Sequence, residues 1–320
     1  MKHLTRRSML AGGCLLPLAL RAQPAWPVRP IRLIVPYAAG GTTDVMARLV
    51  GDGLARRLQQ PVVVENRGGA GATIGAAAVA QSAPDGYTLG MSNSGSHGVS
   101  PHIYPNPGYD ALQDFTHVAL IARTPHALLV NKDHPARTLQ DFLRLARAEG
   151  EMRFAVAGIG ASSHLLGVRL AMLAGVRVEP VAYRGAGPAA SDVIAGVLPA
   201  MFDSVPSGAG HVRSGALRAL AVSGEERSPV MPEVPTLREG GVDLVSTSWF
   251  GLSGPGGMPG EIVQLLSQAV QAVLQDGDVA ARMRSLGADS PPTTPASYTA
   301  FVAAELEAWK PIVRAARIRV

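Results

Sequence analysis

Short runs of branched aliphatic residues, glycine-rich turns and segments of helical apolar spacing follow one another along this chain, and the cycle occurs twice. Ile31-Arg32-Leu33-Ile34-Val35-Pro36 reads as a strand and Tyr37 to Thr43 as a turn. Asp44 to Gln59 reads as a helix, with Val45, Met46, Leu49, Val50, Leu54 and Leu58 at helical spacing. Val62 to Asn66 is a second strand, Arg67 to Ala72 a glycine-rich loop, and Thr73 to Gln81 an alanine-rich helix stopped by Pro84-Asp85-Gly86. Tyr87 to Met91 is a third strand. A strand–helix alternation of this kind implies parallel strands with helices laid over them.

The second cycle begins near residue 127. Val118 to Arg123 and Ala127 to Asn131 read as two strands on either side of Thr124-Pro125, and Thr138 caps a helix to Glu149. Strands at 153–157, 178–183 and 200–203 alternate with helices at 164–173 and 187–195. Leu217 to Val222 reads as a strand returning the chain to the first lobe, Ser248 to Ser253 as a last strand, and Glu261 to Gln275 and Pro295 to Ala316 as closing helices. The pattern gives two α/β lobes, 26–124 and 125–225, with 226–320 rejoining the first. A chain of 320 residues has the length for two such units.

The first 25 residues read as a targeting signal and not as part of the fold. Arg6-Arg7 has a twin-arginine look, Ala11 to Leu20 is a short apolar run, and Ala22 or Ala25 ends the cleaved part. The run is too short to span a bilayer. Without Lys2, Arg6, Arg7 and Arg21 the formal charge of +5 falls to about +1. The remaining basic residues are interleaved with acids, which argues against a nucleic-acid partner. Cys14 is the only cysteine and lies inside the signal, so the mature chain has no disulfide, thiolate metal site or cysteine nucleophile.

Ligands of open α/β sheets sit beyond the carboxyl ends of the strands. One such place is Tyr37 to Asp44. There Ala39, Gly40 and Gly41 let the backbone approach a ligand, Thr42 and Thr43 add hydroxyls, and a helix start offers free N–H groups and a positive dipole end. The same turn reads equally as a plain connection with Asp44 as helix cap. The other place is Gly158 to His164, where Ser162 and Ser163 open a helix. Ordinary serine capping explains them as well, and His164 alone suits helix packing. Facing each other across a cleft, two helix starts would hold a small anion without Arg or Lys. Tyr183, Asp203 and Ser92 end or follow further strands and complete the candidate set. Gly68 to Gly75 matches a dinucleotide fingerprint only loosely. Ser94, Ser96 and His97 lie too close together to read as nucleophile and base, and no metal-ligand spacing stands out. No catalytic residue, metal or cofactor is expected.

Ile34 to Asp44, Val64-Glu65-Asn66-Arg67-Gly68-Gly69-Ala70-Gly71, Ala83-Pro84-Asp85-Gly86-Tyr87-Thr88-Leu89 and Ser162-Ser163-His164-Leu165 also carry a resemblance, with Tyr183-Arg184-Gly185, Met201-Phe202-Asp203, Leu217 to Val222 and Ser248 to Leu252. From Trp26 to its end the chain resembles the Bug-type receptors of tripartite tricarboxylate transporters. The resemblance implies a type II periplasmic-binding-protein (Venus flytrap) fold. It further implies a periplasmic location, a small carboxylate ligand (dicarboxylate, amino acid or aromatic acid), transporter subunits as partners, and action as a monomer. In the family the segments matching Tyr37 to Asp44 and Ser162 to His164 hold a ligand carboxylate, partly through water. Ala161 stands where Thr is common, Tyr37 where Phe is, and Arg184 where Lys is. A sensor that presents the same bound carboxylate to a signalling partner would carry the same pocket.

Overall fold

A computed structural model describes residues 26–316 and 318; the signal segment, its cleavage point and Cys14 lie outside them. The expected alternation forms two sheets. In the first cycle β1 (Ile31–Val35) leads into α1 (Thr42–Leu58), β2 (Val62–Asn66), α2 (Thr73–Ala80) and β3 (Thr88–Asn93), and β1 pairs in parallel with both β2 and β3. A π-helical turn over Ser94–Val99 and the short α3 (Ser100–Ile103) then lead to β4 (Phe115–Asn131). The second cycle comprises α4 (Leu139–Glu149), β5 (Glu151–Val156), α5 (Ser162–Ala174), β6 (Arg177–Ala182), α6 (Ala186–Ile194), β7 (Ala200–Ser204), α7 (Val205–Arg213) and β8 (Leu217–Val222). Within it β5 runs parallel to β6 and β7. The chain closes with β9 (Thr247–Pro255), α8 (Gly260–Leu274), α9 (Gly277–Ser285) and α10 (Pro295–Ala316).

β4 is one strand of 17 residues, not two. At the usual rise it is about 55 Å long, enough to run through both sheets. Its first part pairs with β9 as far as Pro125↔Thr247, and its last part pairs with β7 from His126↔Ser204 onward. Pro125 therefore falls where the ladder changes partner, a place that tolerates a missing N–H. The sequence reading broke the strand at a proline that the structure accommodates.

β8 differs from expectation too. It pairs with β4 at Ala127 to Asn131, so it stays in the second lobe. The stretch after it stays as well. Met231 and Val234 join the apolar cluster on one face of the second sheet, and Leu237 and Leu244 the cluster on the other. The return to the first lobe is made at β9, which sits between β3 and β4. This stretch is held by buried apolar side chains too sparsely spaced to show a period.

The first lobe's core lies between its sheet and helices α1 and α8, with Met46, Val50 and Leu54 facing Leu266, Val270 and Val273. Contact there is close: a Cβ on Gly53 would lie 2.4 Å from a methyl of Val273. Among the described residues no helix is long and apolar enough to cross a membrane.

Candidate ligand-binding site

Four helices of eight residues or more begin around one point between the lobes. α1 comes from the first lobe; α5, α6 and α7 come from the second. Each follows a strand end or a glycine turn, and in none of the four does the cap residue's own side chain accept from the first N–H groups. The cap positions explain this. Gly41, Ala161 and Gly185 have no hydroxyl, and the Ser204 side chain does not reach back. The first-turn N–H groups of α1, α5 and α6 are thus left largely for another acceptor, with the positive dipole ends alongside them, whereas in α7 Pro206 has no N–H and Ser207 N is taken by Thr42.

The cavity at this point has a volume of about 40 Å³, several times the ~10–15 Å³ that a single water needs. Gly41, Thr42 and Thr43 line it from α1, Ser162 and Ser163 from α5, Ala186 from α6, and Asp203 and Ser204 from the end of β7. Tyr37, Asn93, His126, Ser248 and Phe250 form much of the rest. No Lys or Arg belongs to the lining among the described residues.

Two hydrogen-bonded groups of side chains flank the cavity. In one, Ser207 Oγ donates to Asp203 Oδ2 at 2.6 Å and lies 2.8 Å from Thr42 Oγ1, while Ser207 N donates back to Thr42 at 3.2 Å. This chain joins the start of α1 to α7 across the lobes. Burial pushes the Asp203 carboxyl up to about 6, against smaller downward pulls from Ser207 and the Ser204 N–H. In the other group, Ser94 Oγ lies 2.9 Å from Ser248 Oγ, Ser248 Oγ 3.2 Å from Ser162 Oγ, and Ser162 Oγ 3.0 Å from His126 Nε2. Burial pulls His126 down to about 4, so its ring is neutral at pH 7.

Of the residues expected from sequence, Tyr37, Gly41, Thr42, Thr43, Ser162, Ser163 and Asp203 meet at the cavity. The others do not line it. Ala39 and Gly40 are exposed, and their backbone lies against Gly187 of the other lobe. Asp44 does not cap α1. The helix starts two residues earlier than read, so Asp44 is its third residue. Its carboxylate accepts from Gly40 N (3.2 Å), Asn66 Nδ2 (2.9 Å) and Arg48 (3.0 Å), which hold its pKa below the usual value despite burial. It buttresses the turn. Ser92 is enclosed in the first lobe between Ser253 and Tyr298. The His164 ring accepts from Gly160 N at 3.3 Å and borders a different groove beside Val168 and Met172. Tyr183 donates to Asp192 at 2.5 Å and lines an outer groove with Gly68 to Gly71.

Sequence reading missed Asn93, His126, Ser204, Ser248 and Phe250. Asn93 and Ser204 end β3 and β7, so the strand-end rule reaches them. His126, Ser248 and Phe250 lie within the two crossing strands, where nothing local marks them. The Ser96–His97 pair does touch, at 2.8 Å, but both side chains are fully buried and His97 packs edge-on to Phe115. Burial holds that imidazole well below its usual pKa. Among the described residues no group of three or more His, Cys, Asp or Glu gathers where it could hold a metal.

The glycine-rich stretches have a use that the dinucleotide pattern does not suggest. Ala38 N donates to the Arg184 carbonyl at 2.8 Å, and Tyr104 Oη to the Ile159 carbonyl at 3.2 Å, both across the lobes. A Cβ on Gly68 would come within 2.6 Å of the Arg184 oxygen, and one on Gly187 within 2.4 Å of the Ala39 oxygen. The lobes meet backbone to backbone, at glycines.

The model of the tripartite tricarboxylate transporter family receptors matches residues 46–318. The chain belongs to this family. Protein BugT of Bordetella pertussis is 37% identical over 292 residues, 90% of each chain. The fold follows two solved receptors. One is Rpa4515 of R. palustris with adipate, at a TM-score of 0.89 and 33% identity, covering 92% of this chain and 99% of that one. The other is MatC of Rhodopseudomonas palustris with bound malate, at a TM-score of 0.86 and 35% identity, covering 90% and 100%. The chain thus has the two-lobed periplasmic-binding-protein fold of this receptor family. Within such a site one hydroxyl is a small part of the whole. Ser163→Ala should weaken carboxylate binding by about 1–2 kcal/mol, one hydrogen bond to a charged group, as calorimetric titration would show.

Proposed function

We propose that this chain is an exported, periplasmic receptor that captures one small carboxylate between its lobes and passes it, without turnover, to the membrane subunits of a tripartite tricarboxylate-type transporter. The observation that carries this reading is the meeting of four helix starts, three of them with free first-turn N–H groups, at a cavity that no Lys or Arg lines among the described residues. Several fixed N–H dipoles can take the place of a counter-ion for a small anion, and they need no reorganisation when it arrives. A single copy suffices, because both walls of the cavity come from one chain. The family and the malate and adipate held by two relatives support a carboxylate in particular.

Thermal unfolding of the mature protein against a carboxylate panel tests the reading, with dicarboxylates first and then amino acids and aromatic acids. The right ligand at 100 times its dissociation constant should add about 2.7 kcal/mol of stability. It should also reduce the radius of gyration in small-angle scattering, because only the closed form touches it from both sides. A sugar or a cation that stabilises the protein while no carboxylate does would sink the proposal.

A further inference from the structure

Asn93 ends β3 and caps the π-helical turn, and its side chain is committed at one end only. Asn93 Oδ1 accepts from Gly95 N at 2.8 Å and from Ser96 N at 3.0 Å. Two N–H groups converging on that atom require an oxygen there, so the amide cannot be turned over. Nδ2 must therefore face the other way. It is buried and meets no acceptor among the described residues. Folded proteins rarely leave such a group unpaired. Asn93 is 2% exposed and lines the cavity. The turn it caps abuts the start of α5: a Cβ on Gly95 would lie 3.5 Å from Ala161 Cα. The hydroxyls beside it, of Ser94, Ser248 and Ser162, pair with one another and with His126 Nε2 in a chain, while His126 Nδ1 has no partner among the described residues.

We propose that Asn93 is a ligand-contacting residue, its Nδ2 donating to a carboxylate oxygen that the start of α5 also holds. The assignment rests on the carboxylate reading above. It adds a buried side-chain amide of the first lobe to the donors on the anion that the second lobe's N–H groups hold. One carboxylate then bridges the lobes, and a neutral amide, not a cation, does the reading. Acceptor oxygens are selected, and an ammonium or a C–H surface at that point is refused.

Two variants separate this role from capping. Asn93→Asp keeps an oxygen for Gly95 and Ser96 and replaces the donor by an acceptor; Asn93→Ala removes both. Each is titrated by calorimetry with L-malate, adipate and L-aspartate. The Asn93 side-chain amide, assigned by its loss from the ¹⁵N spectrum of both variants, is followed in the native protein. Affinity should fall by about tenfold or more for Asn93→Ala and by about a hundredfold or more for Asn93→Asp. One NH₂ proton should move downfield on binding while other side-chain amides stay in place. Binding within twofold of native in Asn93→Ala overturns the assignment. So does an unmoved amide, even if Asn93→Asp binds weakly, since charge repulsion alone then explains the loss. If the native protein binds none of the three, the carboxylate reading fails for these probes. Asn93 is then judged from a crystal structure of the closed protein as purified. Nδ2 on an oxygen of whatever fills the cavity sustains the contact; Nδ2 bonded only to protein or bulk water refutes it.

Discussion

Gly187→Ala should weaken carboxylate capture by about tenfold to a hundredfold while leaving the ligand-free protein as stable as before or slightly more so. Gly187 lies in the first turn of α6, and the atoms that an added methyl would meet are Ala39 O at 2.4 Å, Ala39 C and Gly40 Cα, all in the opposite lobe. With the lobes apart the methyl meets none of these atoms, and alanine is the better helix former by about 1 kcal/mol. The substitution therefore acts on closure and not on folding. Calorimetric titration should show the lost affinity, and thermal unfolding without ligand should show an unchanged or raised midpoint. Equal loss of both would mean that the glycine serves the lobe's own packing. Gly68 gives a less clean test, because its methyl would also meet Tyr37 and Ala38 of its own lobe.

Acid should destabilise this protein from about pH 6.5 downward, before its exposed carboxylates are protonated. His117, His126 and His164 are buried at 1–3% exposure, and burial pulls each down to about 4; burial also lowers His97 well below its usual value. Their rings are neutral in the fold, whereas the unfolded chain takes up these protons near the ordinary value of 6.5. The unfolded state thus binds more protons, so stability is full above pH 6.5 and falls as pH drops towards 4. Each ring contributes a slope of about 1.4 kcal/mol per pH unit. Asp203 works the other way. Raised to about 6, it holds a proton in the fold that the unfolded chain releases until about 3.8, so it gains stability as pH falls through 6. The three rings held at about 4 against one carboxyl leave two protons, or about 3 kcal/mol per pH unit between pH 6 and 4, and His97 acts in the same direction. That is a large part of a typical total of about 5–15 kcal/mol. Urea unfolding at pH 7, 6 and 5 would measure it. A flat profile across that range would mean that the rings are hydrated in solution.

Much of the fold was legible because its signals are local. The periods of 2 and 3.6 mark β1, α1, α4 and α8, and Thr138 caps α4 as its spacing predicts. α7 was missed because Val205-Pro206-Ser207-Gly208-Ala209-Gly210 has poor helix formers and no apolar stripe. The path of β4 through Pro125 and the placing of β8 are matters of strand pairing, which no local pattern encodes. The site divides in the same way. Thr42, Thr43, Ser162, Ser163 and Asp203 open helices or end strands, so topology alone brings them to the cleft. His126 and Ser248 face it only because of the register of two crossing strands. Asp44 and Tyr183 do not line the cavity, because each side chain is held by a protein partner, Arg48 in one case and Asp192 in the other.

The placing of β9 between β3 and β4 bears on the order in which the lobes can form. The second sheet takes all its strands from one uninterrupted stretch, His126 to Val222. The first cannot be completed until residues 247–255 arrive to fill a gap in its middle, and its core also needs α8. Contacts of short sequence separation form sooner than those that must close a long loop. The second lobe is thus the early one, and the first lobe waits as two incomplete parts that the second holds near each other. The glycine seam and the four helix starts are expected to come together only after β9 and α8 have been made, and capture of a ligand has to wait for them.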